Sequence, residues 1–160
     1  MLTVSPLQLQ SLKTHGEQTY NQECCGLLIG HSAFEDGIWK RTVQTIKPTP
    51  NVWHQQTDIP NIERFSTTRR YSIAPEDVLR AQKVARIQGC DIIGVYHSHP
   101  DHAAVPSDCD RQWAWPQYSY IILSVQQGIA RDIRSWVLDE QDQFQPETLV
   151  VDGIDASHSL

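Results

Sequence analysis

The chain has no run approaching the ~20 consecutive apolar residues that a membrane-spanning helix needs, so no membrane role is expected. It has no basic patch either. Lys and Arg number 13 against 19 Asp and Glu, for a formal net charge of -6, which leaves nucleic-acid binding without electrostatic support. Residues 1–12 lack a basic start and a long apolar core, so no secretory signal is expected there. Cysteine is sparse: Cys24, Cys25, Cys90 and Cys109, with no Cys-x-x-Cys pair. That pattern speaks for reduced thiols and a cytoplasmic setting rather than a disulfide framework. There is no internal repeat and no low-complexity block.

What remains is 160 residues, 39% hydrophobic and 20% charged, enough for one domain with its own core. Residues 1–151 are expected to form that domain and residues 152–160 a loose tail. Ser5, Pro6 and Gln8 predict the capped start of a first helix whose regular part ends near Gly16. Residues 24–30 read as a buried strand and 38–46 as its hairpin partner, with Asp36-Gly37 at the turn. Pro75 opens a second helix with Glu76 and Asp77 in its first turn; Gly89 ends it. Residues 91–96 read as an apolar strand, 107–115 as a short helix, and 118–125, 131–138 and 144–151 as further strands. The fold class is α/β, a mixed sheet flanked by helices. Residues 47–71 hold Pro48, Pro50 and Pro60 and show no period, as a substrate-binding segment or a plain solvated loop would.

The chemistry gathers between positions 97 and 110. In His97-Ser98-His99-Pro100 the two imidazoles are one residue apart, so on a strand both point to the same side. Pro100 is expected to turn the chain out of the strand and back. Asp110 then arrives after a short loop. Two His and one Asp leave a tetrahedral zinc with an open position, the ligand count of a catalytic site. Ser107-x-x-Asp110 is also a helix capping box, a role compatible with metal binding because a cap fixes the carboxylate. Cys109 is an alternative third ligand, since thiolate binds zinc well. Amide hydrolysis needs a base and an oxyanion donor as well. Glu23, at the entrance to an apolar strand where burial raises a carboxyl pKa, is the candidate base, and Ser107 the candidate donor. His31, His54 and His102 read as exposed loop residues, Cys24 as core packing facing away from Glu23, and Trp113, Trp115, Tyr118 and Tyr120 as core.

Glu23 upstream, His97-Ser98-His99-Pro100, six residues, then Ser107-Asp108-Cys109-Asp110 resembles the JAMM or MPN-plus metalloproteases, and the flanks Glu23-Cys24-Cys25-Gly26-Leu27-Leu28 and Gly94-Val95-Tyr96 look like their compact prokaryotic members. The resemblance implies a cytidine-deaminase-like fold, one Zn2+ per chain on His97, His99 and Asp110, Glu23 as general base and acid, and Ser107 stabilising the tetrahedral intermediate. It implies a peptidase or isopeptidase acting at the C-terminal Gly-Gly tail of a ubiquitin-like or sulfur-carrier protein, with residues 50–71 at the place of the family's first insertion and clamping that tail. A second reading is a non-catalytic MPN-type scaffold, though such relatives typically lack the ligands present here. Zinc deamination would want His-x-Glu with Pro-Cys-x-x-Cys, and neither is present. A homodimer is compatible with a domain of this size.

Overall fold

The computed structural model describes residues 1–55 and 67–152. In chain order the elements are β1 (Leu2–Val4), α1 (Pro6–Thr19), β2 (Cys25–Glu35), β3 (Ile38–Thr49), a single 3-10 turn at Trp53–Gln55, α2 (Pro75–Ile87), β4 (Asp91–Pro100), α3 (Asp108–Gln112), β5 (Ser119–Gln126), β6 (Ile129–Leu138), β7 (Phe144–Glu147) and β8 (Leu149–Val151). The strands form one mixed sheet in the order β7-β6-β5-β4-β2-β3-β1-β8. β4 runs parallel to β5 and β1 parallel to β3 and β8; the other pairs are antiparallel. The expected mixed α/β architecture is borne out. Among the described residues no helix is long and apolar enough to cross a membrane.

Local chemistry accounts for the punctuation. Ser5 and Gln8 form a reciprocal capping box at α1. Asp36 and Gly37, with φ 53° and 79°, supply the two left-handed residues that a tight hairpin requires. The central strands are buried on both faces. Leu28, Ile93, Tyr96, Ile121 and Leu123 pack with Leu12 of α1, whereas Leu27, Ile29 and Ile92 pack with Ala81 and Ala85 of α2. Successive residues of one strand thus enter opposite halves of the core.

Four expectations change. Gly16 does not end α1, which runs to Thr19; it lies where the helix meets β5, and a Cβ there would stand 3.1 Å from Val125 Cγ2. Pro100 remains in β4, paired with Val125. N–H groups alternate in direction along a strand; Ser98 N–H reaches Cys24 O and Asp101 N–H reaches Val125 O. The Pro100 nitrogen therefore faces the side where β2 has already ended, and no ladder bond is lost. The chain leaves instead at Asp101, φ 56°. The 144–151 segment is two strands. β7 and β8 lie at opposite ends of the strand order with only Thr148 between them, so the sheet curls until its edges meet. Glu147 holds this seam, accepting from Ser135 Oγ (2.7 Å) and pairing with Arg41 of β3 (3.3 Å). Finally, the short helix expected over 107–115 is confined to α3 at Asp108–Gln112, and β1 is an element beyond those expected. The proposed 152–160 tail lies outside the described residues except Asp152, whose N–H donates to Val4 O.

Gly94 is where β4 and β5 approach too closely for a side chain. A Cβ there would collide with the Ser119 carbonyl oxygen and stand 3.0 Å from Leu28 Cδ1. Gly94→Ala is expected to cost about 1–3 kcal/mol, lowering Tm by about 3–10 °C in thermal unfolding. An unchanged Tm would show that the two strands can separate freely.

Candidate metal centre

β4 carries His97 and His99 on the α2 face of the sheet, in line with Val95. β2 and β5 flank it, pairing His97 with Cys25 and Ile122, and His99 with Ser124. His97 is fully buried and Tyr71 stacks on its ring, with centroids 4.4 Å apart and planes at 21°. His99 Nδ1 donates to Ala103 O at 2.8 Å, which fixes the tautomer and leaves the Nε2 lone pair free. The two Nε2 atoms lie 3.0 Å apart.

The third donor arrives through the turn at Asp101. Its Oδ1 accepts from Gln127 N–H (2.8 Å) and its Oδ2 from Tyr20 O–H (2.8 Å), anchoring the start of the loop. Ser107 then caps α3. Ser107 Oγ accepts from Asp110 N–H at 3.2 Å, while Asp110 Oδ2 accepts from Ser107 N–H at 2.6 Å and Ser107 Oγ–H at 2.8 Å. Held this way, the carboxylate sits with Oδ1 3.3 Å from His97 Nε2 and Oδ2 3.4 Å from His99 Nε2. One ligand atom from each residue falls within 4.8 Å of the others.

These separations suit a cation. Donors at ~2.0–2.2 Å from one zinc stand about 3 Å or a little more from each other, and two neutral imidazoles with one carboxylate match its preferences. His97 Nδ1 is buried without a hydrogen-bond partner among the described residues, so the ring is held by packing and by what its Nε2 faces. Cys109 lines the neighbouring cavity and stands outside the group of converging donors.

Glu23 is buried at 4% exposure just before β2. Its N–H donates to Thr67 O (2.7 Å), its C=O accepts from Asn51 Nδ2 (3.1 Å), and the next N–H, of Cys24, donates to Ser98 Oγ (2.8 Å). Burial pushes the Glu23 carboxyl up to about 8; the Asp110 carboxylate adds to the rise, while His99 and Arg70 oppose it. Burial likewise pushes His97 below its ordinary range, against the pull of Asp110. Burial acts the same way on His99, but Asp110, Glu23 and the Ala103 carbonyl outweigh it and the net direction is up. Burial alone would raise Asp110; the two imidazoles and the Ser107 N–H instead hold it well below the carboxylate range.

His97, His99 and Asp110 thus converge, Ser107 is bonded to Asp110, and Glu23 lies near enough for its carboxyl to feel His99 and Asp110. Three neighbours escaped the sequence reading. Ser98, on the opposite face from the histidines, bonds the backbone beside Glu23; its position between two candidate ligands was the available signal. Asn51 ties Glu23 O to Arg70 O and accepts from Trp53 and Ser72 N–H, with no sequence signal beyond its turn-forming type. Tyr71 likewise carried none. Trp113 and Trp115 were expected in the core, yet they are 62% and 59% exposed, because the chain loops outward between α3 and β5. Cys24 is core, as expected, and His54 and His102 are exposed; His31 is exposed too, but on β2, paired with Thr42, rather than in a loop. Of the expected 50–71 clamp, residues 56–66 lie outside the described residues.

The chain is similar to several other proteins. A desampylase of Haloferax volcanii is 35% identical over 103 residues, 64% of this chain and 62% of that protein. A probable TtuB-protein conjugate cleaving protease of Thermus thermophilus is 29% identical over 106 residues, 65% of this chain and 61% of that one. The chain therefore matches about three fifths of the length of these curated relatives. Two solution structures cover nearly all of it: a Desulfitobacterium hafniense protein, TM-score 0.75 at 26% identity, over 99% of this chain and 97% of that one, and a Salinibacter ruber protein, TM-score 0.66 at 31% identity, over 100% and 95%. The family model described as prokaryotic homologs of the JAB domain matches residues 8–139. With most of its length matched in this way, and with His97, His99 and Asp110 converging, the chain belongs to the family of prokaryotic JAB-domain proteins.

Proposed function

We propose that the chain is a zinc-dependent peptidase or isopeptidase that hydrolyses an amide bond at the C-terminal Gly-Gly tail of a small ubiquitin-like or sulfur-carrier protein. The convergence of His97, His99 and Asp110 beside a buried Glu23 carries this reading. The relatives named desampylase and probable TtuB-protein conjugate cleaving protease support the substrate class. In this reading His97, His99 and Asp110 hold one Zn2+ per chain. Zinc, when bound, supplies a water of lowered pKa and a Lewis acid for the substrate carbonyl.

The remaining steps fall to the chain's own groups. The Glu23 carboxylate takes a proton from the attacking water and passes it to the leaving nitrogen, so one residue serves as base and then acid. A carboxyl pKa near neutrality suits both halves of that transfer. Ser107 keeps Asp110 oriented through the cap, and its hydroxyl, turned from Oδ2 toward the substrate, donates to the developing oxyanion. His99 is locked by Ala103 O and so keeps Nε2 as a ligand atom throughout. A scaffold without turnover would have no use for this donor set. The proposal takes residues 1–151 as the catalytic domain with 152–160 as a tail, acting in the cytoplasm, and allows a homodimer.

The test is incubation of the zinc-loaded protein with ubiquitin-like carriers bearing extra residues after Gly-Gly, followed by intact mass. Trimming to Gly-Gly, abolished by a chelator and restored by zinc, is expected. Carriers that all keep their full mass would sink the reading.

A further inference from the structure

A cavity of about 240 Å³ adjoins the donor cluster and shares two walls with it, Asp110 and the Tyr71 ring that stacks on His97. Its floor is aliphatic, made by Leu27 of β2, Val78 of α2 and Ile92 and Val95 of β4. Its rim is aromatic and includes Trp113 and Trp115, both more than half exposed. Of these two rings, that of Trp115 is held in place. Trp115 N–H donates to Tyr120 Oη at 2.6 Å, and the Trp115 indole stacks parallel to Tyr118, 6.0 Å between centroids at 6°. Fixed aromatic surface left in water at the mouth of an apolar cavity beside a polar centre is the make-up of a ligand subsite. An apolar cavity of about 150 Å³ admits a benzene ring, so this one accommodates a whole phenylalanine or leucine side chain.

The scissile bond has two sides. In the function proposed above, on which this inference rests, the acyl side ends in Gly-Gly, so the two residues nearest the scissile bond on that side have no side chain to place there. The occupant therefore belongs to the amine side. The walls carry charge of both signs, Arg70 and Asp110, so a charged side chain of either sign would meet a like charge there as well as lose hydration against the aliphatic floor. An ε-linked lysine offers only an unbranched methylene stem, which leaves the width of the cavity unfilled. We propose that this cavity binds the side chain of the residue whose amine leaves, and selects a large apolar one, so that the preferred bond is a peptide bond following Gly-Gly.

Carrier-tail peptides ending Gly-Gly-X, with X as Phe, Leu, Ala or Asp, and one with lysine joined through Nε, test this by kcat/KM for amine release. Phe and Leu are expected to exceed Ala by at least about tenfold and Asp by more. In the Trp113→Ala/Trp115→Ala double variant the Phe-over-Ala ratio is expected to fall to within about threefold. Equal rates across X, an ε-linked lysine cut as fast as Phe, or a preference that follows the residue before Gly-Gly would each overturn the assignment. The same peptides titrated into Glu23→Gln protein, followed by tryptophan fluorescence, separate this idea from the one beneath it. If no peptide is hydrolysed by the unaltered protein, the peptidase reading fails and the leaving-residue assignment with it, while tighter binding of the Phe peptide would still show that the cavity takes a large apolar side chain. If hydrolysis proceeds without preference and binding shows none, the cavity assignment alone falls.

Discussion

Asp110→Asn is expected to reduce zinc from about one per chain to below about a tenth after dialysis, and to abolish turnover, because the carboxylate is the only anionic donor in the group. Asparagine keeps a carbonyl oxygen that can accept from the Ser107 N–H, so the start of α3 is expected to survive. The loss should therefore appear in metal content rather than as unfolding. A pH series on the metal-free proteins checks the electrostatics separately. Asp110 has its pKa held below the ordinary value, so its charge stabilises the fold at neutral pH, and that contribution is lost as pH falls. The Tm gap between wild type and variant should accordingly narrow below about pH 4. A variant that still retains stoichiometric zinc would remove Asp110 from the ligand set and reopen the case for Cys109.

Glu23→Gln has the opposite signature: zinc stays at about one per chain and kcat falls by about 10²–10⁴, the usual worth of a positioned acid–base group. Glutamine fills the same space but cannot carry the proton. In the metal-free chain burial raises the carboxyl to about 8; a bound cation would pull it down from there, since positive charge favours the carboxylate. Only the ionised form accepts a proton, so the wild-type rate should rise with pH below 8 and level off, and this acidic limb should be absent from the variant's residual rate. Metal analysis alongside kinetics on an extended carrier tail distinguishes the two substitutions. A Glu23→Gln protein turning over at the wild-type rate would assign the base elsewhere.

The features legible from residues are those whose partners lie a few positions away. Ser5 with Gln8 and Ser107 with Asp110 declare helix starts because both members of a capping box lie in one turn. Asp36-Gly37 declares a hairpin because its backbone angles suit few other residues. By the same logic residues 144–151 read as one strand. Nothing local says that Glu147 closes against Arg41 of β3 toward the other end of the strand order, or that Thr148 separates two ladders. Gly16 reads as a helix stop on type alone, yet serves as a close-packing point against Val125. Trp113 and Trp115 read as core because large rings usually are, and only the path of the chain leaves them at a cavity rim.

The sequence by itself determined the candidate donor set and base: two histidines at strand spacing and a carboxylate on a capped helix start as donors, and a glutamate ahead of an apolar strand as base. Those residue types at those intervals imply metal-assisted hydrolysis, because ligand chemistry and backbone period are local properties. Tertiary structure decided everything that depends on a surrounding environment. The antiparallel register that sets Cys25 opposite His97 brings Glu23 to a site 74 residues away in the chain. The burial that follows raises the Glu23 pKa, and the outward loop before β5 builds an aromatic cavity beside Asp110. Convergence and desolvation arise from contacts between distant segments, so no window of the sequence contains them.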